Sequence, residues 1–213
     1  MRALVDFGFI TSNLRLYSMK GNGEITLMKE RIVLGVAGMP GAGKGTFREI
    51  VQEMGYPVVV MGDEIREETK QRNLRPTPKN LGMIMLKLRE EEGPAAVAKR
   101  CIPKMEKAKE KVVVEGIRSL HEVDEFKKHF PNFTLIAIHA SPETRFRRLF
   151  QRKRSDDPKR WETFRERDLR ELNVGIGAAI AAADQVIVNE GSKVQLKRRA
   201  REVLKEVLGK WMK

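Results

Sequence analysis

Apolar residues along this chain gather into short unbroken runs, separated by stretches with helical spacing. Ile32-Val33-Leu34-Gly35-Val36-Ala37 is the first run, and Val58-Val59-Val60-Met61, Val112-Val113-Val114, Leu135-Ile136-Ala137-Ile138 and Val186-Ile187-Val188 follow it. Runs of this length without polar alternation predict strands buried on both faces, as in a parallel sheet. Between the first two, Phe47, Ile50, Val51 and Met54 share a helical stripe that Gly55 closes. Helix starts carry cap chemistry: Ser119 with Glu122, Ser141 before Pro142, Ser192 with Gln195. Strand and helix therefore alternate, which predicts right-handed crossovers, an α/β sandwich around five parallel strands, and ligands at the carboxyl ends of those strands. The interval between the second and third runs is longer than one crossover requires. Thr77-Pro78 and Gly93-Pro94 signal helix starts there, and Ala98, Cys101, Ile102 and Met105 form one stripe. A helical insertion over residues 64–110 is expected, with Cys101 in the core and Pro103 as a local kink.

Composition narrows the partners. A chain of 213 residues buries one sizeable core, so residues 28–213 are expected to form a single domain. Residues 1–27 are expected to be a weakly ordered extension: Asp6 interrupts their apolar patch and no small-residue cleavage site follows. Cys101 is the single cysteine, which excludes a disulfide framework, and three histidines without Cys-x-x-Cys spacing give no zinc site. No apolar run approaches the roughly 20 residues of a membrane helix, and a reducing cytoplasm is the expected compartment. Lys and Arg number 42 against 29 Asp and Glu, a formal charge of +13 that favours polyanionic partners. RNA is admitted by that charge but not favoured, because aromatic residues are few and no RNP-like motif occurs. From Arg145 to Arg170 eleven basic residues face five acidic ones, and Asp156-Asp157-Pro158 breaks the run, which predicts a basic lid over residues 150–168.

The first strand runs into Gly38-Met39-Pro40-Gly41-Ala42-Gly43-Lys44-Gly45-Thr46 and then a helix. Glycines there let backbone N–H groups converge on phosphate, the helix N-terminus adds positive potential, and Lys44 reaches the β- and γ-phosphates. The strict P-loop pattern places Ser or Thr directly after the lysine, where this chain has Gly45 and then Thr46. Val112-Val113-Val114-Glu115 is an apolar strand ending in one carboxylate, a Walker-B-like arrangement that makes Glu115 a candidate to hold magnesium through water.

Gly-x-Pro-Gly-x-Gly-Lys-Gly-Thr resembles the loop of adenylate kinase and its nucleoside monophosphate kinase relatives, which implies ATP and Mg²⁺ as cofactors and a small-molecule phosphate acceptor. Gly62-Asp63-Glu64-Ile65-Arg66 resembles their Gly-Asp-x-x-Arg segment, implying that Arg66 binds the acceptor and that Asp63 approaches the metal shell or reacting groups. Glu115-Gly116-Ile117-Arg118 resembles their third strand end, with Arg118 on the acceptor side and one position early. Arg148 and Arg152, four apart, resemble their phosphate-facing pair, and Arg165 and Arg167 resemble returning lid arginines. Ala183-Asp184-Gln185-Val186-Ile187-Val188-Asn189-Glu190-Gly191-Ser192 is similar to a segment of dephospho-coenzyme A kinases whose loop backbone holds adenine, implicating Asn189 and Gly191. As a whole the chain looks most like archaeal adenylate-kinase-related proteins. Two further readings stand beside a nucleotide-like acceptor: a hydroxyl-phosphorylating kinase with Asp63 as general base, and an ATPase serving RNA or ribosome assembly.

Overall fold

The computed structural model describes residues 17–19, 25–27, 31–154 and 157–211. Most of the expected N-terminal extension lies outside the described residues. Within it β1 (Tyr17–Met19) and β2 (Ile25–Leu27) pair antiparallel.

The five apolar runs become β3 (Ile32–Ala37), β4 (Val58–Val60), β5 (Lys111–Ile117), β6 (Phe133–His139) and β7 (Gln185–Val188), all parallel in the order β4-β5-β3-β6-β7. Because β3 sits in the middle with its successors to either side, the loop leaving it opens at the point where strand order reverses, the natural ligand crevice of such a sheet. Alternate residues of β3 feed two cores. Val33 and Ala37 pack with the helices of the insertion, with α5 (Leu120–His129) and with α8 (Ile176–Ala181). Leu34 and Val36 pack against α1 (Lys44–Glu53) and α9 (Lys193–Trp211). Both faces are thus covered, which is why the strand runs show no polar alternation.

Caps follow the sequence. Ser192 Oγ accepts from Gln195 N at 3.3 Å while Gln195 Oε1 accepts from Ser192 N at 2.8 Å, a reciprocal capping box. Ser119 caps α5 through Glu122 N, but the Glu122 carboxylate takes the backbone N–H of Arg118 at 2.7 Å instead of that of Ser119.

The insertion consists of α2 (Met61–Gln71), α3 (Pro78–Glu92) and α4 (Ala96–Met105). Cys101 is fully buried on its stripe, as expected, and Pro103 lies in the last turn of α4. Charges brace the three helices. Glu68, 8% exposed on α2, accepts from Arg72 Nε at 2.7 Å and from Arg100 Nη1 at 2.6 Å, while Arg72 reaches Glu91 on α3 at 2.6 Å. Hydrogen bonds from Arg100 and then Arg72 hold the Glu68 carboxyl below the usual range. Its contribution is therefore present above the unfolded carboxyl pKa and is lost as pH falls through the lower folded value. Glu68→Ala is expected to destabilise the fold by about 1–3 kcal/mol, since both guanidiniums stay partly solvated, and urea melts at neutral pH check this.

The segment expected to be a lid spans the end of α6 (Pro142–Arg152), a left-handed Lys153 and the first half of α7 (Trp161–Val174). Ser155 and Asp156 lie outside the described residues. Its α7 half is anchored: Phe146 of α6 meets Trp161 edge-on at 5.3 Å and Phe164 at 5.5 Å.

Candidate active site

The glycine loop is clamped between two elements distant in sequence. Gly43 stands at the N-cap of α1 with φ 115°, and a Cβ there would come within 2.4 Å of Asn189 Nδ2. Gly41 has φ 84°, and its Cβ would approach Arg145 O to 2.7 Å. Both positions need glycine for backbone conformation and for close approach. Asn189, buried at the exit of β7, donates Nδ2–H to Ala42 O at 2.8 Å. On the other side, buried Arg145 donates to Pro40 O at 3.3 Å, pairs bidentately with Asp168 at 2.8 and 2.5 Å, and stacks over Phe164. These contacts set the loop before any phosphate arrives.

Lys44 Nζ donates to Gly38 O at 2.6 Å and Met39 O at 3.3 Å, folded back over the loop. Burial pulls its ammonium down to about 8, with Glu115 opposing the shift and Arg118 adding to it.

Two hollows open above the loop. A cleft of about 400 Å³ is lined by Lys44, Thr46, Arg48, Glu115, Arg148 and Arg152 among others. A smaller cavity of about 130 Å³ is lined by Ile65, Leu81, Met85, Arg170 and Glu171. Gly62, Arg66, Arg118 and Arg167 line both. The two hollows therefore share a wall that carries three guanidiniums.

Within that wall Arg118 Nε donates to Glu171 Oε2 at 2.7 Å. The Glu171 charge raises the Arg118 pKa against desolvation. For Glu171, burial pushes the carboxyl upward, but Arg118 outweighs it and the net shift is downward, so the buried pair is ionised on both sides.

The expected site residues divide. Lys44, Thr46, Glu115, Arg66, Arg118, Arg148, Arg152 and Arg167 all face the hollows. Asp63 is not among the residues lining either hollow: it sits in the first turn of α2, 63% exposed, and pairs with Arg66 Nη1 at 2.6 Å. An acid at a helix start with an arginine three residues on pairs locally, and Asp63 does so here. Arg165 is exposed and lines neither hollow. Arg148 faces the cleft but spends its donors on Asn189 O at 2.9 Å and Gly191 O at 3.1 Å, so it holds the exit loop of β7. Arg152 is tied to Asp157 at 2.5 Å.

Sequence reading passed over Arg170, Glu171 and Asp168. One signal was available. Phe164, Asp168 and Glu171 recur at helical spacing, placing acids on the stripe of a buried aromatic, where a charge must find a partner.

Glu115 Oε2 is buried and accepts no hydrogen bond among the described residues, while facing Arg48 Nη1 at 3.5 Å. An orphaned carboxylate oxygen in the same cleft as the Thr46 hydroxyl is an all-oxygen donor set, which suits Mg²⁺ held through water. Among the described residues no group of three or more His, Cys, Asp or Glu could cage a metal, so phosphate oxygens would have to complete its shell. No helix among the described residues is long and apolar enough to cross a membrane.

Comparison with known proteins agrees with this geometry. The sequence profile of the family described as AAA domain matches residues 37–165. A UPF0200 protein of Methanocaldococcus jannaschii is 52% identical over 180 residues, 83% of this chain and 91% of the relative. A UPF0200 protein of Pyrococcus furiosus is 50% identical over 178 residues, 81% of this chain and 96% of the relative. Among solved structures, a shikimate kinase from Bacteroides thetaiotaomicron superposes with TM-score 0.55 at 15% identity over 84% of this chain and 98% of its own. A gluconokinase from Sinorhizobium meliloti does so with TM-score 0.54 at 16% identity over 84% and 94%. The resemblance to adenylate and dephospho-coenzyme A kinases is supported at the level of the P-loop kinase-like fold. With its glycine loop, its parallel sheet and these relatives, the chain belongs to the UPF0200 proteins, within the family described as AAA domain.

Proposed function

We propose that this chain uses ATP and Mg²⁺ to phosphorylate a small acceptor bearing a carboxylate or phosphate group. The observation that carries this reading is the shared wall: Arg66, Arg118 and Arg167 face both the cleft above the P-loop and the smaller cavity beside it. A γ-phosphoryl group passing from one hollow to the other crosses a screen of guanidiniums, where charge on its equatorial oxygens is best stabilised.

Lys44 leaves the carbonyls of Gly38 and Met39 to reach the phosphates. Bound Mg²⁺ would neutralise the phosphate oxygens, and Glu115 and Thr46 are the residues placed to orient its water shell. Glu171 keeps Arg118 extended into the wall, and Arg170 with Arg66 supplies the anion contact for the acceptor. Arg148 and Asn189 hold the exit loop against which adenine would rest. The basic segment over residues 150–168 would act as lid. Asp63 has no assigned part beyond its pairing with Arg66.

The acceptor cavity, about 130 Å³, is smaller than the roughly 300–1,000 Å³ of sites that hold drug-sized ligands, which favours a compact acid over a nucleoside monophosphate. A coupled assay of ATP consumption across nucleoside monophosphates, dephospho-coenzyme A, gluconate and shikimate tests it. The last two are included because two fold neighbours carry their names. Arg66→Ala should raise the acceptor KM by about 10- to 100-fold and leave ATP affinity within about twofold. If no acid or phosphate accelerates ATP consumption, the transfer reading falls and the nucleotide site stands alone.

Lys44 adds a pH signature. The free protein sheds this proton near pH 8, and phosphate oxygens favour the ammonium and so raise its pKa in the complex. Binding then takes up a proton above pH 8, so nucleotide affinity should fall by up to about tenfold per pH unit from there upward. Titrating a fluorescent ATP analogue at successive pH values shows this inflection, and Lys44→Arg should abolish it.

A further inference from the structure

Arg48 has no part in the phosphate-binding pattern, yet it lines the phosphate cleft one helical turn after Lys44. Two observations fix where its guanidinium lies. Nη1 stands 3.5 Å from Glu115 Oε2, the buried carboxylate oxygen that accepts no hydrogen bond among the described residues. Nη2 lies 3.9 Å from the place a Cβ on Gly45 would occupy. Position 45 is where the strict P-loop pattern puts a metal-binding hydroxyl. The guanidinium therefore spans the space between the two points from which a P-loop protein ordinarily holds its divalent cation, and glycine at position 45 leaves that space open to it.

We infer that Arg48 is a built-in counter-ion for Glu115 which stands in for the metal in the nucleotide-free protein and must be displaced when Mg²⁺ enters with the nucleotide. This rests on the nucleotide and metal part of the function proposed above, and not on the identity of the acceptor. The physical reason is charge. Glu115 follows three buried valines in β5, where a carboxylate needs cations around it; Lys44 and Arg118 act on it, and Arg48 stands at ion-pair distance from its orphaned oxygen. An arginine held at ion-pair distance without hydrogen-bond geometry relieves the charge and leaves the oxygen's lone pairs available. Exchange of Arg48 for hydrated Mg²⁺ keeps Glu115 neutralised throughout. It also raises the Mg²⁺ concentration needed above that of an open carboxylate, because Mg²⁺ competes with a tethered cation. Arg48 is thus a positioning residue that sets the Mg²⁺ threshold of the site.

The test uses the full chain, no acceptor, and a fluorescent ADP analogue titrated at increasing Mg²⁺. Arg48→Gln, shorter, polar and uncharged, should lower the half-saturating Mg²⁺ for nucleotide binding by about three- to tenfold. Arg48→Lys, which keeps a cation, should stay near wild type. In a Glu115→Gln background the Arg48→Gln change should shift nothing, because the competition runs through the carboxylate. An unchanged or raised Mg²⁺ demand in Arg48→Gln overturns the inference, as does a shift of equal size in the Glu115→Gln background. If wild type binds no nucleotide at any Mg²⁺ concentration, the nucleotide reading and this inference fall together. Failure to find an acceptor touches only the transfer reading.

Discussion

Lys44→Ala abolishes the stabilisation that Mg-ATP gives the wild-type protein and lowers kcat/KM by at least about 1,000-fold, while the nucleotide-free fold is kept. The two halves of this expectation have different sources. Loss of function follows because Lys44 is the lysine of the cleft, held at the loop carbonyls of Gly38 and Met39 from which, on the proposed reading, it would swing to the phosphates. Survival of the fold follows from the sign of the Lys44 shift. Burial lowers its pKa to about 8, so at neutral pH the native state carries an ammonium that it disfavours, and removing that group removes a penalty. Against this stand two hydrogen bonds to carbonyls that the loop can expose to water, so the net change should stay within about 1 kcal/mol, a few degrees in Tm. Differential scanning fluorimetry with and without Mg-ATP measures both. A variant that still gains stability from the nucleotide would remove Lys44 from the site.

Arg118→Ala should be the most damaging change in the shared wall, lowering kcat/KM by about 100- to 1,000-fold and the fold's stability by about 3 kcal/mol. The guanidinium faces both hollows, and its Nε bond to Glu171 neutralises a buried carboxylate on α7. Without Arg118, only the smaller pulls of Lys44 and Arg167 still oppose burial and the Glu171 carboxyl shifts upward, so the variant's deficit grows from acid toward neutral pH. Two companions separate catalysis from stability. Arg118→Ala combined with Glu171→Ala should recover most of the stability, because the orphaned charge is gone, but none of the rate. Glu171→Gln should fold normally and lose only about tenfold in kcat, since Arg118 keeps a hydrogen-bond partner and loses its anchor's charge. Activity restored in the double variant would show that Arg118 acts on packing alone.

The sheet and the glycine loop were legible in the sequence because both are local. A buried parallel strand is an unbroken apolar run, and a phosphate loop is a fixed spacing between strand and helix. The caps were legible for the same reason. The acceptor wall was not, because its chemistry is made of pairs that sequence spacing cannot join. Arg118 meets Glu171 across 53 residues, and Arg148 reaches Asn189 across 41. Asp63 carries a local pair that the likeness did not anticipate. Likeness to a known segment pointed it at the reacting groups, whereas its own spacing to Arg66 already contained the local pair that the structure forms. Asn189 was expected to serve through its backbone at the adenine, and its side chain turns out to fasten the loop at Ala42.

The brace of charges through Glu68 bears on how such a protein changes in evolution. Arg72 and Arg100 hold α2, α3 and α4 together without lining either hollow, while Leu81, Gly82 and Met85 of α3 line the smaller one. The loop itself is held by Asn189 and Arg145, which belong to other elements. On the proposed function, variation in one face of α3 would retune the acceptor without disturbing the loop that receives the nucleotide. A lineage sharing this scaffold would then drift from one acceptor to another through a few substitutions in a single helix.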